Sequence, residues 1–402
     1  MNKPLNIRTM KKILLPLALV SALLVSCEKP VQEEYYYISI YPHELHFALY
    51  GEEQSVIVDS SHDWELTDCP DWCIPSIKGG QSGAEIIFTV TENESDSQRE
   101  GEIIFTCGDA ADSIRVLQDG LNDNIEFSSS YIKESLTSEH RTDVFNGQKV
   151  IIDIDRDNDG EISYKEALDA KYMYINTGVR TDNFTELKYF PALEYAYIRF
   201  TSLDSINLTH CPNLKYLYIT GDIPSLDLSN NTSLEHLECW NNDDITSLDL
   251  SNNTALTYLS CHGNQLTSLD LSNNTALTYL SCYGNQLTSL DVSGCTALTD
   301  LYCSYNQLTS LDVSKNTALT MLDCDDNQLT TLDVSNNTAL AYLDCGGNQL
   351  TSLDLYNNRL LESLICNNNP LQKLILYKYH IIQNSDMEDI ESEYGDIIEY
   401  VE

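Results

Sequence analysis

Positive charge is scarce in this sequence: 22 Lys and Arg stand against 62 Asp and Glu, a net charge of −40 over 402 residues. A surface so acidic repels phosphate backbones and anionic headgroups, whose recognition depends on Lys and Arg releasing counterions, so nucleic acid and acidic lipid are excluded as partners. Cations, calcium among them, are attracted instead. Histidine pairs at metal-ligand spacing are missing too. The eight histidines are scattered, and no nucleophile has a base near it in any repeat frame, which argues against an enzyme. Long apolar runs are also rare: beyond Ile13 to Val25 no stretch could cross a bilayer.

That one run lies in a distinct context. Lys3, Arg8, Lys11 and Lys12 precede it, it is shorter than the roughly 20 residues of a spanning helix, and it ends in Leu24-Val25-Ser26-Cys27. The ending resembles the bacterial lipobox, which implies a signal peptide over 1–26, lipidation of Cys27 and attachment to the outer membrane. Membrane contact would then run only through this anchor. Glu28 and Gln32-Glu33-Glu34 loosely resemble the surface-export signal of Bacteroidetes lipoproteins, making 27–34 a tether at the cell surface.

Residues 35–120 alternate apolar and polar in short runs such as Ser55-Val56-Ile57-Val58 and Glu102-Ile103-Ile104-Phe105, separated by acidic or Gly-containing turns. This pattern predicts an all-β sandwich. The landmarks Trp64, Trp72, Asn93, Arg99, Gly101 and Gln118 follow in an order that resembles the BACON domain of Bacteroidetes surface proteins, an immunoglobulin-like sandwich viewed as a carbohydrate binder or a spacer. Trp64 and Trp72 fit sugar platforms, but a sandwich also needs buried tryptophans, and the core reading is preferred. Cys69, Cys73 and Cys107 leave a disulfide open after export.

After a linker at 121–150 comes "DRDNDGEISYKE". Asp155, Asp157, Asp159, the Glu161 carbonyl, Ser163 through water and Glu166 fall at positions 1, 3, 5, 7, 9 and 12 of an EF-hand loop, with Gly160 at its sharp turn. Starting at Asp153 would put Asn158 on the glycine position and Tyr164 on that of the bidentate carboxylate, so the register is unambiguous. The exiting helix is legible in residues 164–170, whereas the incoming segment is β-branched. A single loop predicts one weakly held structural calcium, at about 10⁻⁴ to 10⁻³ M, within a unit at 151–192 that caps the repeats beyond it.

From Leu193 to about residue 380 the chain repeats with a period near 21, as L-x-x-L-x-C-x-x-N-x-L-x-x-L-D-L in Leu256, Leu259, Cys261, Asn264, Leu266, Leu269, Asp270 and Leu271. The pattern resembles the leucine-rich repeat, which implies a solenoid of short parallel strands. Strand alternation sends Leu259 and Cys261 inward together, so Cys239, Cys261, Cys282, Cys303, Cys324, Cys345 and Cys366 form a buried file of free thiols. Asn264 and its equivalents should bond turn backbone. Residues 381–402 read as an acidic tail.

Outward strand positions hold rings the repeat does not require: Tyr216, Tyr218, Trp240, Tyr258, Tyr279, Tyr283 and Tyr302 are the candidate ligand-binding residues. Towards the C-terminus Asp300, Asp323, Asp325 and Asp344 replace them. A further column, Asp227, Asp249, Asp270, Asp291, Asp312, Asp333 and Asp354, would repel by nearly ~1 kcal/mol per adjacent pair even in water. Hydroxyls of nearby Ser and Thr, or bound cations, must offset this. The chain thus reads as a non-enzymatic surface lipoprotein that binds a host protein or a glycan through these rings. A spacer or scaffold without its own ligand is the alternative.

Overall fold

The computed structural model describes residues 34–49, 52–138, 141–145, 148–242, 244–380 and 382–402. Cys27 and the expected signal peptide lie outside them. Among the described residues no helix is long and apolar enough to cross a membrane.

Alternation along Gln54–Ser60 buries Val56, Val58 and Ser60 while Ser55, Ile57 and Asp59 face out. The same period in neighbouring strands makes a two-sheet sandwich. One sheet runs Ile38–Tyr41, Gln54–Ser60, Ala84–Val90 and Cys73–Pro75; the other runs Glu44–Phe47, Ala110–Gln118, Arg99–Cys107, Trp64–Asp68 and Gly79–Gly80. Trp64 is 1% exposed, lies edge-on to Phe105 at 5.9 Å, and donates its indole N–H to the Gln81 carbonyl. Trp72 is half-buried beneath the Arg99 guanidinium, 4.6 Å from its centroid. Arg99 in turn donates twice to Gln118 Oε1. A Cβ on Gly101 would come within 2.3 Å of Pro70, so only glycine lets that loop close over the strand. Trp72, Asn93, Arg99, Gly101 and Gln118 therefore gather at one place, Trp64 lies elsewhere in the same core, and both tryptophans pack with it.

Three expectations about the rest of the chain need correction. The expected linker contributes structure of its own: helix Ser130–Ser138 buries Ile132 and Leu136 in the solenoid core, and the paired strands Arg141–Phe145 and Gln148–Ile152 pack Ile152 against Tyr174 and Tyr195. The solenoid begins before residue 193, because Tyr172–Asn176 pairs in parallel with Tyr195–Arg199. That first coil has Met173 and Ile175 where later coils have Leu and Cys, which hid it. Finally, the acidic tail is a cap. Helix Asn384–Tyr394 places Met387, Ile390 and Tyr394 on one face, and Ile398–Val401 pairs in parallel with Lys373–Tyr377. Glu388, Asp389 and Glu391 are exposed, while Asp386 and Glu393 accept from Ser363, Leu364 and Asn368 of the last coil, so net charge concealed an amphipathic helix.

Between these ends ten short strands form one parallel sheet, from Tyr172–Asn176 to Ser363–Ile365. The first three coils send Ile175, Ile198 and Ile219 inward where the other seven send Cys: Leu259, Leu280 and Leu301 are fully buried, and the seven file cysteines are at most 1% exposed. Burial pushes the Cys261 and Cys366 thiols up to about 12, which keeps them protonated and unreactive. All seven are free thiols, as are Cys69, Cys73 and Cys107 in the sandwich.

The turn after each strand is held by asparagine. Asn285 Nδ2 donates to the Cys261 and Cys282 carbonyls at 3.0 Å each, while its Oδ1 accepts the Leu266 N–H at 3.0 Å. Asn306, Asn327, Asn348 and Asn369 repeat this. One buried side chain thus joins two coils where strand pairing has ended. Asn285→Ala should cost about 1–3 kcal/mol or more in urea unfolding, since buried backbone groups lose their partners. Asn252→Ala, on the exposed turn, should stay within about 0.5 kcal/mol.

Candidate functional site

The register of the parallel sheet turns sequence columns into ladders. Tyr195, Tyr216, His236, Tyr258 and Tyr279 stack face to face, with successive centroids 4.7, 4.1, 3.9 and 4.1 Å apart and planes within 19°. Tyr174, Tyr197 and Tyr218 form a second ladder, at 4.5 and 4.1 Å, and Trp240, His262 and Tyr283 a third, at 5.2 and 4.4 Å. Glu238 ties the first ladder to the third. It accepts from Tyr216 Oη at 2.9 Å and from Trp240 Nε1 at 3.2 Å, and pairs with His236 Nε2 at 2.8 Å. Burial alone would raise its pKa, but the hydrogen bonds from His236, Tyr216 and Trp240 outweigh that and hold it below the usual carboxylate range.

Tyr216, Tyr258, Tyr279, Trp240 and Tyr302 are half-buried and line this face; Tyr283 is 39% exposed. Tyr218 needs correction: at 7% exposure, between Tyr197 and Trp240, it supports the ladders instead of meeting a ligand. The stacking also changes what the rings offer. Their faces are covered by one another, so edges and hydroxyls meet solvent, and little flat surface remains for a sugar ring.

One ring escaped the column reading. Tyr305 is 59% exposed, at the site after the strand where every coil from 241 to 368 turns left-handed. Gly263, Gly284, Gly347, Asn241, Asp326 and Asn368 are the other occupants. A tyrosine at φ 51° there is strained by about 1–3 kcal/mol. The signal was available in the repeat alignment: one bulky residue in a column of glycines and short polar side chains.

Beside Tyr305 the face becomes acidic. Carboxylate oxygens of Asp323, Asp325 and Asp344 lie within 4.8 Å of one another, half-buried. Desolvation, then the neighbouring carboxylates, pushes Asp325 up to about 6; desolvation, followed by Asp325 and Asp326, takes Asp344 to about 6 as well.

The aspartate column on the other side behaves oppositely. Asp227, Asp249, Asp270, Asp291, Asp312 and Asp333 each accept the backbone N–H of the serine two residues on at 2.9 Å, and Asp354 accepts that of Tyr356 at 3.0 Å. Serine hydroxyl and amide bonds lower the first six below the ordinary range. Hydrogen bonds from within each turn thus offset the repulsion.

In the 155–166 loop, Asp155 is 2% exposed, and its two carboxylate oxygens accept the Asp159 and Gly160 N–H groups at 3.1 and 3.0 Å. Asp155, Asp157 and Asp159 bring carboxylate oxygens within 4.8 Å of one another. Gly160 turns at φ 83°. Ser163 and Glu166 cap the helix Tyr164–Asp169: Glu166 accepts from Ser163 N at 3.0 Å, Ser163 Oγ at 2.9 Å and Arg156 N at 2.8 Å. The Glu161 side chain pairs with Lys133, leaving its carbonyl as the donor of interest. An all-oxygen set with a glycine turn fits a calcium ion. The loop is not isolated. Ile125 N donates to Ile162 O at 2.8 Å, Lys165 N to Leu121 O at 2.9 Å, and Tyr164 Oη to Asp119 at 3.1 Å, so it fastens the sandwich to the solenoid.

The two sets of aspartates predict a stability optimum in mild acid. Asp325 and Asp344 bind protons more tightly when folded, so stability rises as pH falls from 7 through about 6; the lowered column loses its contribution once pH falls below about 4. Melting temperature should peak near about pH 5, and Asp344→Asn should flatten the limb between about 4 and 7 while raising the value at pH 7. A melting temperature that falls steadily from pH 7 would contradict this assignment.

Comparison with known proteins agrees with the architecture. Residues 62–119 match the BACON family model ("Putative binding domain, N-terminal") and residues 275–316 a model of leucine-rich repeats in two copies. No curated protein matches the sequence. Similar solved structures include the functional domain of InlJ from Listeria monocytogenes, which includes a cysteine ladder, at 33% identity and TM-score 0.49, over 54% of this chain and 51% of that one. The internalin InlF from L. monocytogenes has 21% identity and TM-score 0.43, over 69% and 91%. The leucine-rich repeat domain of APL1B has 25% identity and TM-score 0.45, over 52% and 65%. The chain therefore spans about half of the InlJ structure. It carries a BACON domain followed by a leucine-rich-repeat solenoid.

Proposed function

We propose that this chain is a non-enzymatic binding protein that takes a protein partner on the outward face of its ten-stranded sheet. The observation carrying this reading is the set of ring ladders, which the repeat does not need for burial and which present edges and hydroxyls along several coils. Such groups offer apolar contact with a polar tip at low entropic cost, as protein interfaces favour. Self-stacking disfavours the glycan reading. Neither domain type typically carries catalysis.

Two further parts of the proposal concern placement. The basic start, the short apolar run and Cys27 support a lipid anchor at the outer surface of a bacterial outer membrane. The 155–166 loop supports one structural calcium held by Asp155, Asp157, Asp159, the Glu161 carbonyl, Ser163 through water and Glu166. Its bonds to Leu121, Ile125 and Asp119 make the joint between sandwich and solenoid the part a cation would stiffen.

Tyr258→Ala combined with Tyr279→Ala should abolish capture of the partner from host-cell surface extract with the repeat fold retained by circular dichroism, and capture by the unaltered protein should survive glycosidase treatment. Capture undiminished in the double variant would exclude the ladder as the binding face. Calcium should raise the melting temperature of chelator-treated protein with a midpoint of about 10⁻⁴ to 10⁻³ M. Glu166→Gln should remove that shift; an equal shift in the variant would place the ion elsewhere.

A further inference from the structure

The protein-binding reading leaves the chemistry of the partner open, and the C-terminal half of the face narrows it. From Tyr216 to Asn358 the sequence has one Lys or Arg, Lys315, and it lies near Asp312 on the opposite side of the solenoid. The outward strand positions over the same span carry rings, and then Asp300, Asp323, Asp325 and Asp344. Ser304 donates to Asp323 at 3.3 Å, and the Asp325 and Gly346 amides donate to Asp323 and Asp344 at 3.4 and 3.0 Å. Among the described residues no ion pair reaches these carboxylates. Burying them together as charges is unfavourable, and either proton uptake or an arriving cation relieves it.

Tyr305 supplies an independent indication. It occupies a left-handed position that costs a tyrosine more than the glycine or asparagine found in other coils, and it buries little, being 59% exposed. Its hydroxyl bonds the Asp326 side chain, while the ring itself stays open to solvent. The exposed ring beside half-buried carboxylates gives an apolar surface with a polar tip at the border of the acidic patch. With Tyr302 it borders Asp323, and Tyr342 stands in the same coil as Asp344.

We propose that the face from Tyr283 to Asp344 docks an arginine-bearing segment of the protein partner, its guanidinium groups pairing with Asp323, Asp325 and Asp344 while lying against Tyr302 and Tyr305. Arginine suits this surface better than lysine. Its planar group bonds a carboxylate with two N–H donors and lies flat on an aromatic ring, whereas an ammonium is a hydrated point charge. The surface is a stretch of open sheet that matches an extended basic segment in charge and in its alternation of rings and acids. This inference rests on the protein-binding reading and specifies its partner.

The test uses labelled nona-arginine and nona-lysine peptides with the whole chain, followed by fluorescence anisotropy in calcium-free buffer. Nona-arginine should bind more tightly than nona-lysine. Asp323→Asn with Asp325→Asn and Asp344→Asn should weaken it by about tenfold or more, the size of one lost charge-assisted pair. Asp270→Asn with Asp291→Asn and Asp312→Asn changes net charge equally on the opposite side and should leave affinity within about twofold. Tyr305→Gly should weaken arginine binding while raising the melting temperature, an outcome that a purely structural tyrosine would not produce. Equal losses in the two triple variants would reduce the effect to the general field of an acidic protein and overturn the proposal. So would Tyr305→Gly binding with full affinity, or displacement of the peptide by calcium at about 10⁻⁴ M, which would make the patch a cation site. Failure here, with loss of partner capture in the Tyr258 and Tyr279 variant, would leave the protein-binding reading standing.

Discussion

A coil of about 21 residues cannot enclose its own leucines, and stacking neighbours in register is what takes them out of water. Everything else in the solenoid follows from that register. Strand pairing covers only three residues in most coils, so it alone would be a weak clamp. Asparagines extend it around the turn: each Asn of the 264 column bonds carbonyls of its own coil and of the one before, and accepts an amide from the preceding coil. Cysteine in the adjacent file is small enough to let coils approach, and its burial holds the thiols protonated.

Register also forces like onto like, with opposite consequences on the two sides. Aromatic rings gain from it, because planes a few degrees apart stack without side-chain rearrangement. Carboxylates lose. On the Asp270 side the loss is offset locally, by serine N–H and hydroxyl groups in the same turn. On the Asp344 side the offset is incomplete, and protonation near pH 6 is one relief. The protein therefore tolerates repulsion at one patch while neutralising it along a whole column elsewhere, and such local inconsistency is where function is expected.

An open parallel sheet leaves two edges, and both are covered. The strand pair ending in Ile152 packs on the Tyr174 and Tyr195 edge, while helix Asn384–Tyr394 closes the last coil, with Tyr394 Oη accepting the Asn369 N–H at 3.0 Å. The first cap is joined through the acidic loop to Asp119 and the segment after the sandwich. Domain attachment and solenoid capping are thus one structure, and a cation in the loop would act on both.

The sequence alone determined the elements whose signal is periodic or tied to fixed spacing: the sandwich alternation, the repeat with its inward Leu and Cys, the turn asparagines, and the positions of an acidic loop with its glycine. These are local rules, and every copy of the repeat restates them. It did not reveal the coil at Tyr172, where Met173 and Ile175 replace the signature, or the helix at 384–394, whose three inward residues are outnumbered by exposed acids. Only the tertiary structure decided which rings are available, because burial of Tyr218 and exposure of Tyr305 depend on what the neighbouring coil places beside them. It also decided that one aspartate column is satisfied and another is not. Charge and ring content are properties of residues, whereas desolvation, stacking and strain belong to the contacts between coils.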